Sequence, residues 1–273
     1  MMIVFPNAKI NIGLRITGKR QDGFHNIETL FYPVGLCDAL EFVISDQQLG
    51  KDILTSTGID TGSSPADNIV MKAIIRLRGK ISFPFLKIHL HKAIPAGAGL
   101  GGGSSDAACL LKAVNHHFNL GIEIDELKAI ALDLGSDCPF FIYGVPSLAS
   151  GRGEELTPVK ISLTGYYLAI LNPGVSISTG EAYKNCHPVT PTESLKQLIE
   201  YPLMEWKELI LNDFEEYAFK KHPIIADLKE ELYRSGAVFS LMSGSGSSVY
   251  GIFKEKPELP DTLKEFVIWE GRM

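Results

Sequence analysis

The sequence has no long apolar run and no excess of basic residues, and each absence excludes a class of protein. No apolar stretch reaches the roughly 20 residues of a membrane-spanning helix, and the start, MMIVFPNAKI, has neither the basic region nor the cleavage site of a secretory signal. Lys and Arg total 26 against 32 Asp and Glu, a net charge of −6. Surfaces for nucleic acid or anionic membrane need many cationic contacts with phosphates. We therefore expect neither of these partners, and a cytoplasmic location.

Cysteine is also scarce, and its four positions are scattered along the chain without a C-x-x-C pair or zinc-finger spacing. Free thiols in a reducing compartment are therefore expected. His89 and His91 share one face of a predicted strand. Because no third ligand lies near them in the sequence, they do not indicate a metal centre.

What the sequence does contain is enough apolar material for a sizeable core: 45% of 273 residues are hydrophobic. In AKINIGLRIT the apolar residues at positions 10, 12, 14 and 16 alternate with Lys9 and Asn11, which predicts a strand with one polar face. Further strands are predicted in QDGFHNIETLFYPV, DALEFVIS, LKIHLHKA and YYLAIL, and on both sides of the Gly/Ser loop at residues 243–247.

Helices are predicted where apolar residues recur at three- and four-residue steps between capping signals. They run from near Ala66 or Asp67, from the end of the glycine-rich stretch to Gly121, from a cap at Asp125 to Gly135, and from Pro223 to Gly236. Strands and helices are mixed throughout, which predicts an α+β protein of two domains, residues 1–156 and 157–273.

The stretch PAGAGLGGGSSDAA, residues 95–108, predicts a phosphate-binding loop. Glycines let backbone amides approach a ligand and adopt positive φ, and the first turn of the following helix offers unpaired N–H groups to an anion. The loop lacks the Lys of a P-loop. A dinucleotide fingerprint can be read from Gly97 to Gly102, but Asp125 is placed as a helix cap rather than at a strand end. A flexible connector is the remaining alternative.

Two side chains are candidates for the chemistry of phosphoryl transfer. Asp137 lies between a helix-ending glycine and the apolar PFF, where partial desolvation is expected; the alternative is a helix or turn cap. Lys9 could neutralise charge and orient an acceptor hydroxyl, and the alternative is a solvated lysine on a strand. Sequence alone does not bring the two together.

Several motifs, taken in order, resemble those of the GHMP kinase superfamily of small-molecule kinases. They are PNAKINIGLRITGKRQDGFHNIETLF, PAGAGLGGGSSDAA, GSDCPFF, SGRGEELTPV, PGVSIST, NDFE and SGSGSSVYGIF, and they span nearly the whole chain. Within the superfamily they are similar to the branch that phosphorylates the 2-hydroxyl of 4-diphosphocytidyl-2-C-methyl-D-erythritol with ATP. The resemblance implies an N-terminal ribosomal-protein-like α+β domain carrying the ATP loop, a C-terminal ferredoxin-like α+β domain, and an active site in the cleft between them.

The resemblance also assigns roles to residues. It implies Lys9 and Asp137 as the catalytic pair, with Asp137 taking the proton of the acceptor. The substrate site would comprise Asn11, Phe24, His25 and Tyr183, with the cytosine between the rings of Phe24 and Tyr183 and base-specific hydrogen bonds from His25. The ATP site would comprise Asn68, Lys92, Pro95, Ala96, Gly97, Ala98, Gly99, Leu100, Gly101, Gly102, Gly103, Ser104 and Ser105.

A magnesium ion is expected with ATP, because the transferred group carries charge. Its protein ligand is left open among Ser104, Ser105 and Asp106, with Asp106 favoured instead as a first-turn complement to the helix dipole. The loop at residues 243–247 would close over the phosphates or form a plain hairpin turn. Phe24 replaces the more usual Tyr of the family and so lacks a hydroxyl, and Ala96 replaces a larger apolar residue.

The sequence therefore predicts an ATP-dependent kinase of isoprenoid precursor biosynthesis whose partner is a small-molecule substrate. Two alternatives stay open at this point. One is a GHMP kinase for another small alcohol, such as mevalonate or homoserine, and the other is a non-catalytic nucleotide- or RNA-binding module on the same fold.

Overall fold

The chain folds into two compact units, each built from segments that are separate in the sequence. The structure is a computed structural model that describes residues 1–46, 48, 50–62 and 64–273. Unit 1 comprises Met1–Ala8, Leu36–Ala96 and Gly101–Gly144, and unit 2 comprises Lys9–Gly35, Gly97–Leu100 and Val145–Met273. This division differs from the contiguous one expected from the sequence, because residues 9–35 belong with the C-terminal half. The boundary at residues 156 and 157 stays a prediction.

The described residues contain strands β1 (Met2–Val4), β2 (Asn7–Lys19), β3 (His25–Cys37), β4 (Ala39–Ile44), β5 (Ile53–Gly58), β6 (Leu86–Lys92), β7 (Ser147–Ser150), β8 (Glu155–Pro158), β9 (Tyr167–Leu171), β10 (Phe239–Met242), β11 (Val249–Phe253) and β12 (Val267–Arg272). Their helices are α1 (Ile69–Arg78), α2 (Gly102–His117), α3 (Ile124–Leu132), α4 (Cys138–Tyr143), α5 (Thr179–Lys184), α6 (Leu195–Leu198), α7 (Trp206–Leu209), α8 (Glu215–Lys221), α9 (Pro223–Arg234) and α10 (Asp261–Lys264). A 3₁₀-helix, Leu203–Glu205, precedes α7. Among the described helices, none combines the length and the apolar character needed to cross a membrane.

Unit 1 is built on a sheet of order β1-β4-β6-β5, in which β4 is antiparallel to β1 and β6 and β5 is parallel to β6. In β6, Leu86, Ile88 and Leu90 are buried and alternate with more exposed residues. This period of two is that of a half-buried strand. Helices α1 and α2 pack against each other, and α2 also packs on α4. The alternation places Lys92 on the buried side of β6.

Unit 2 contains an antiparallel sheet of order β10-β11-β9-β12 and most of a second sheet of order β2-β3-β7-β8. Every residue of β10 and β11 is buried, as expected for strands covered on both faces. Helix α9 presents Ile225, Leu228 and Leu232 to the core of this unit.

The predicted strands are confirmed as β2, β3, β4, β6, β9, β10 and β11, but several predicted helix ends are wrong. Helix α1 begins at Ile69 rather than near residue 66, because the Asn68 side chain caps it by accepting from Val70 N at 2.9 Å. Helix α2 ends at His117, before Gly121, since Asn119 already adopts a positive φ of 49°.

The other predicted helix limits differ less. Asp125 is not a cap: it lies in the first turn of α3 and pairs with Lys128 at 2.9 Å. Helix α9 starts at Pro223 as predicted and ends at Arg234, two residues short of Gly236. Strands β1, β5, β7, β8 and β12 and helix α4 were not predicted.

Candidate functional site

The glycine stretch is an ordered turn that leads into α2. Gly97, Gly99 and Gly101 all have positive φ, at 64°, 78° and 70°, a region that L side chains rarely adopt. A Cβ on Gly99 would lie only 1.9 Å from the carbonyl oxygen of Ser243. Gly101 occupies the N-cap position of α2, so the first amides of this 16-residue helix meet no capping side chain. These amides are available to bind an anion instead.

Lys9 is held against this stretch within unit 2. Its side chain lies on β2 and is 3% exposed, so the alternative of a solvated surface lysine is wrong. The ammonium donates to Asn11 Oδ1 and to the carbonyl oxygen of Gly99, the latter at 3.0 Å. It also lies 4.9 Å from the centroid of the Phe31 ring. These contacts hold the Lys9 ammonium in one orientation.

The connection between β10 and β11 contacts the same segment. Ser243 Oγ donates to the Gly99 carbonyl at 2.8 Å, and Ser248 N donates to the Ala98 carbonyl at 3.2 Å. Asn11 N in turn donates to Ser243 Oγ at 3.1 Å. The connection is therefore more than a plain hairpin turn, because it bonds both to β2 and to residues 97–100.

Asn212, in the NDFE motif, hydrogen-bonds to this connection. Its amide donates to the carbonyls of Met242 and Gly244, each at 2.8 Å, and its Oδ1 accepts from Phe214 N at 3.0 Å. The residue is 3% exposed. Spacing in the sequence gives no signal for this role, since the carbonyls lie 30 and 32 residues away.

Asp137 lies in unit 1 at the N-cap position of α4. Within the described residues, its side chain makes no capping hydrogen bond to that helix. The next residue, Cys138, is buried, and desolvation raises the pKa of its thiol to about 11. The first turn of α4 thus places an unreactive thiol next to Asp137.

Two of the other predicted site residues of unit 1, Lys92 and Asn68, bond to the protein itself. Lys92 is 4% exposed and forms ion pairs with Asp38 and Asp106. Asp106 is not a first-turn complement to the helix dipole, because it lies beyond the first turn of α2 and faces Lys92. Asn68 caps α1. Pro95, Ala96 and residues 101–105 also belong to this unit.

All four predicted substrate residues belong to unit 2, and two of them, His25 and Tyr183, are in contact. Phe24 follows a turn at Gly23 and is 53% exposed, with the Arg152 guanidinium 4.8 Å from its ring centroid. The rings of His25 and Tyr183 stack at 5.0 Å between centroids and 15° between planes. Burial and, to a smaller extent, the charge of Lys19 lower the pKa of His25, which favours the neutral ring that can both donate and accept.

Two family profiles and several known proteins match this chain. The profile of the GHMP kinases N terminal domain matches residues 68–145, and that of the GHMP kinases C terminal domain matches residues 194–267. A 4-diphosphocytidyl-2-C-methyl-D-erythritol kinase of Bacteroides thetaiotaomicron is 51% identical over 261 residues, 96% of this chain and 95% of that protein. The enzyme of that name from Parabacteroides distasonis is 48% identical over the full length of both chains.

Solved structures show the same fold. A crystal structure of 4-(cytidine 5′-diphospho)-2C-methyl-D-erythritol kinase matches with a TM-score of 0.82 at 30% identity, covering 99% of this chain and 98% of that one. A Methanococcus jannaschii mevalonate kinase matches with a TM-score of 0.70 at 15% identity, covering 100% and 98%. At that identity the second match concerns the fold alone.

Proposed function

The chain belongs to the GHMP kinase family, and on that premise we propose that it transfers the γ-phosphoryl group of ATP to the 2-hydroxyl of 4-diphosphocytidyl-2-C-methyl-D-erythritol. The products are the 2-phosphate and ADP, in the methylerythritol phosphate route to isoprenoid precursors. The observation that carries the proposal is an identity of about half, over nearly the whole chain, to kinases named for this substrate. The predicted two-domain α+β GHMP kinase fold is confirmed.

The glycine stretch supplies the nucleotide site of this reaction. Backbone amides along residues 96–105, including the start of α2, bind the ATP phosphates, because the glycines with positive φ have no side chain to block the approach of a phosphate. Pro95 has no amide hydrogen and begins the loop. Asn68, at the N-terminus of α1, is proposed at the adenine end. Lys92 is the exception within the predicted set, since two carboxylates already enclose its ammonium.

In the transfer step the acceptor oxygen bonds to the γ-phosphorus as the bond from that phosphorus to the bridging oxygen of ADP breaks. Asp137 takes the hydroxyl proton, and Lys9 orients the hydroxyl and offsets the growing negative charge. The bonds from Lys9 to Asn11 and Gly99 support this role because they aim the ammonium before substrate arrives. The transfer is direct, with no phosphoenzyme.

The cytosine half of the substrate is recognised in unit 2. Phe24 offers an exposed ring for stacking, and the neutral His25 offers a donor and an acceptor to the base edge. A centroid distance of 5.0 Å leaves no space for a base between His25 and Tyr183. Tyr183 therefore supports His25 on that face, and the sandwich of cytosine between Phe24 and Tyr183 stays a prediction. Asn11 completes the proposed substrate set.

Magnesium is proposed as the companion of ATP, and the donor set at α2 fits it. Among the described residues there is no cluster of three His, Cys, Asp or Glu side chains placed for a metal, which suits an ion held mainly by phosphate oxygens. Asp106 is paired with Lys92 and Ser105 is fully buried, so the Ser104 hydroxyl is the protein oxygen that would hold the ion. When bound, Mg²⁺ neutralises charge on the phosphates.

The location and partners follow the same proposal. Four free cysteines suit a reducing compartment, and the net charge of −6 gives no general surface for nucleic acid or anionic membrane. We place the enzyme in the cytoplasm with a small-molecule substrate as its partner.

A turnover assay tests the function directly. Purified protein with ATP and Mg²⁺ is expected to convert 4-diphosphocytidyl-2-C-methyl-D-erythritol to a phosphomonoester, seen by ³¹P NMR, with one ADP formed per turnover. Mevalonate and homoserine serve as competing acceptors. Failure of folded protein to turn over the first substrate, or a preference for either competitor, would contradict the proposal.

A further inference from the structure

Unit 1 contains a cluster of three charged side chains that the reaction as described does not use. Asp38, Lys92 and Asp106 are almost fully enclosed, with 0%, 3% and 2% of their side chains exposed. Buried charges are costly unless they are paired and hydrogen-bonded. A cluster of this kind therefore requires a structural or functional reason.

The bonds of the cluster connect the two ends of the glycine stretch. Lys92 Nζ donates to Asp38 Oδ2 and, at 2.7 Å, to Asp106 Oδ2. Asp38 Oδ1 accepts from the backbone amides of Ala93 and Ile94, at 2.6 and 2.9 Å. Residues 93 and 94 precede the glycine stretch, and Asp106 lies in α2, which begins where the stretch ends. The ammonium of Lys92 is therefore linked through Asp38 to the segment before the stretch and through Asp106 to the helix after it.

Packing reinforces the same connection. A Cβ on Gly102, the first residue of α2, would lie 2.7 Å from Ile94 Cγ2 and 3.3 Å from Lys92 Nζ. The start of the helix is therefore pressed against the entry of the stretch without room for a side chain. Any shift of Lys92 or Ile94 moves the first turn of α2, whose amides are the proposed phosphate ligands.

The enclosure of Lys92 argues against it as a direct ligand of ATP. Its ammonium bonds to Asp38 and Asp106, and only 3% of its side chain is exposed. The third ammonium proton could reach a phosphate only if the cluster opened to solvent.

Resting on the kinase function proposed above, we propose that the Asp38–Lys92–Asp106 cluster fixes both ends of the glycine stretch and thereby sets the affinity for ATP. Lys92 is then a positioning residue that acts through the backbone of residues 93–94 and α2. Asp106, which the sequence argument left as a dipole complement or a metal ligand, is the partner that ties α2 to it.

The variant Asp106→Leu tests this role because it keeps a branched side chain of similar shape and removes the oxygen that accepts from Lys92. Loss of one buried, charge-assisted hydrogen bond is expected to raise the KM for ATP about fivefold, with kcat and the KM of the alcohol substrate little changed. If Lys92 instead contacts the phosphates, the variant frees its ammonium and ATP binds more tightly. An unchanged or lowered KM for ATP would therefore overturn the proposal.

Hydrogen exchange on the ATP-free protein gives a readout that does not depend on catalysis. Asp106→Leu is expected to accelerate exchange of the amides of residues 93–94 and 101–105, whereas the exposed control Asp125→Leu leaves them unchanged. If the variant does not fold, hydrogen exchange in the wild type alone tests the proposal. Ala93 and Ile94 amides should exchange as slowly as the interior of α2, and exchange at the rate of an open loop would refute the cluster. A protein without kinase activity that still shows these rates would contradict only the proposed function.

Discussion

At the residue scale, Asp137 is the single carboxylate to which the proposed reaction assigns a proton. We expect Asp137→Asn to lower kcat by about 10²–10⁴-fold, the range of general acid–base catalysis, while the KM for ATP changes little. Steady-state kinetics with both substrates measure this. Asp133→Asn, four residues earlier at the exposed end of α3, is the matched control and should keep the wild-type rate. A variant at position 137 with near-normal kcat would leave the residue a structural role only.

Two lysines show how far sequence reasoning reaches at this scale. The alternation in β2 placed Lys9 and Asn11 on one face, and both do lie together in a hydrogen bond. Their burial was not predictable, because Gly99 and Ser243, which cover them, come from distant parts of the chain. For Lys92 the signal was present: β6 alternates Leu86, Ile88, Leu90 and Lys92 toward the core. Its partner Asp38 lies 54 residues earlier, which spacing cannot reveal.

At the scale of one element, the glycine stretch depends on close approach rather than on flexibility. Gly99→Ala would place a methyl group 1.9 Å from a backbone oxygen of Ser243, at a φ of +78°. The segment must move, and we expect a loss of more than about 3 kcal/mol of unfolding free energy, from steric overlap added to the 1–2 kcal/mol of left-handed strain. ATP affinity, measured by calorimetry, should fall with it.

The control for this prediction is Gly121→Ala. Gly121 has a similar φ of +69°, but its added Cβ would meet nothing within 4 Å. The variant should lose roughly 1–2 kcal/mol of unfolding free energy, from backbone strain alone, and keep its affinity for ATP. Equal losses in the two variants, measured by urea denaturation, would mean that backbone strain alone explains the glycine at position 99.

The longest elements were predicted correctly, but length does not explain every outcome, because the four-residue β10 was predicted and the six-residue β5 and β12 were not. The 13-residue strands β2 and β3 and the 16-residue helix α2 contain several repeats of their period, so their type was read correctly. Strands β1, β7 and β8 have three or four residues and α4 has six, which is too short for a period to show. The end of α2 was misplaced because Asn119 takes a left-handed φ two residues before Gly121 does.

At the scale of the whole molecule, buried carboxylates make stability depend on pH. Burial is the largest cause that raises the pKa of Asp106 in unit 1 and of Glu215 in unit 2. A carboxyl whose pKa is higher in the folded state binds its proton there preferentially, so its contribution to stability is complete at low pH and is lost as pH rises. For Asp106 this window runs from its ordinary value of 3.8 to about 8.

The variant Asp106→Asn should remove that dependence. As pH rises from 5 to 8, the unfolding free energy of the wild type should fall relative to the variant, by up to about 1.4 kcal/mol per pH unit. Urea denaturation of both proteins at several pH values measures the difference. The exposed variant Asp125→Asn should run parallel to the wild type. A constant difference between wild type and Asp106→Asn would show that Asp106 titrates alike in the folded and unfolded chains.

The interleaving of the two units has a consequence for how the protein is made. Strand β3 pairs with β7 across more than a hundred residues, as in Thr29 with Ala149, and Asn11 bonds to Ser243 across 232. Contacts at such separations carry a high cost of loop closure and form late. On the ribosome, β2 and β3 emerge early, and β3 keeps an unpaired edge while the segments of unit 1 are synthesised and can fold. This nascent state presents an edge open to aggregation, and the pairing of β3 with β7 ends that exposure.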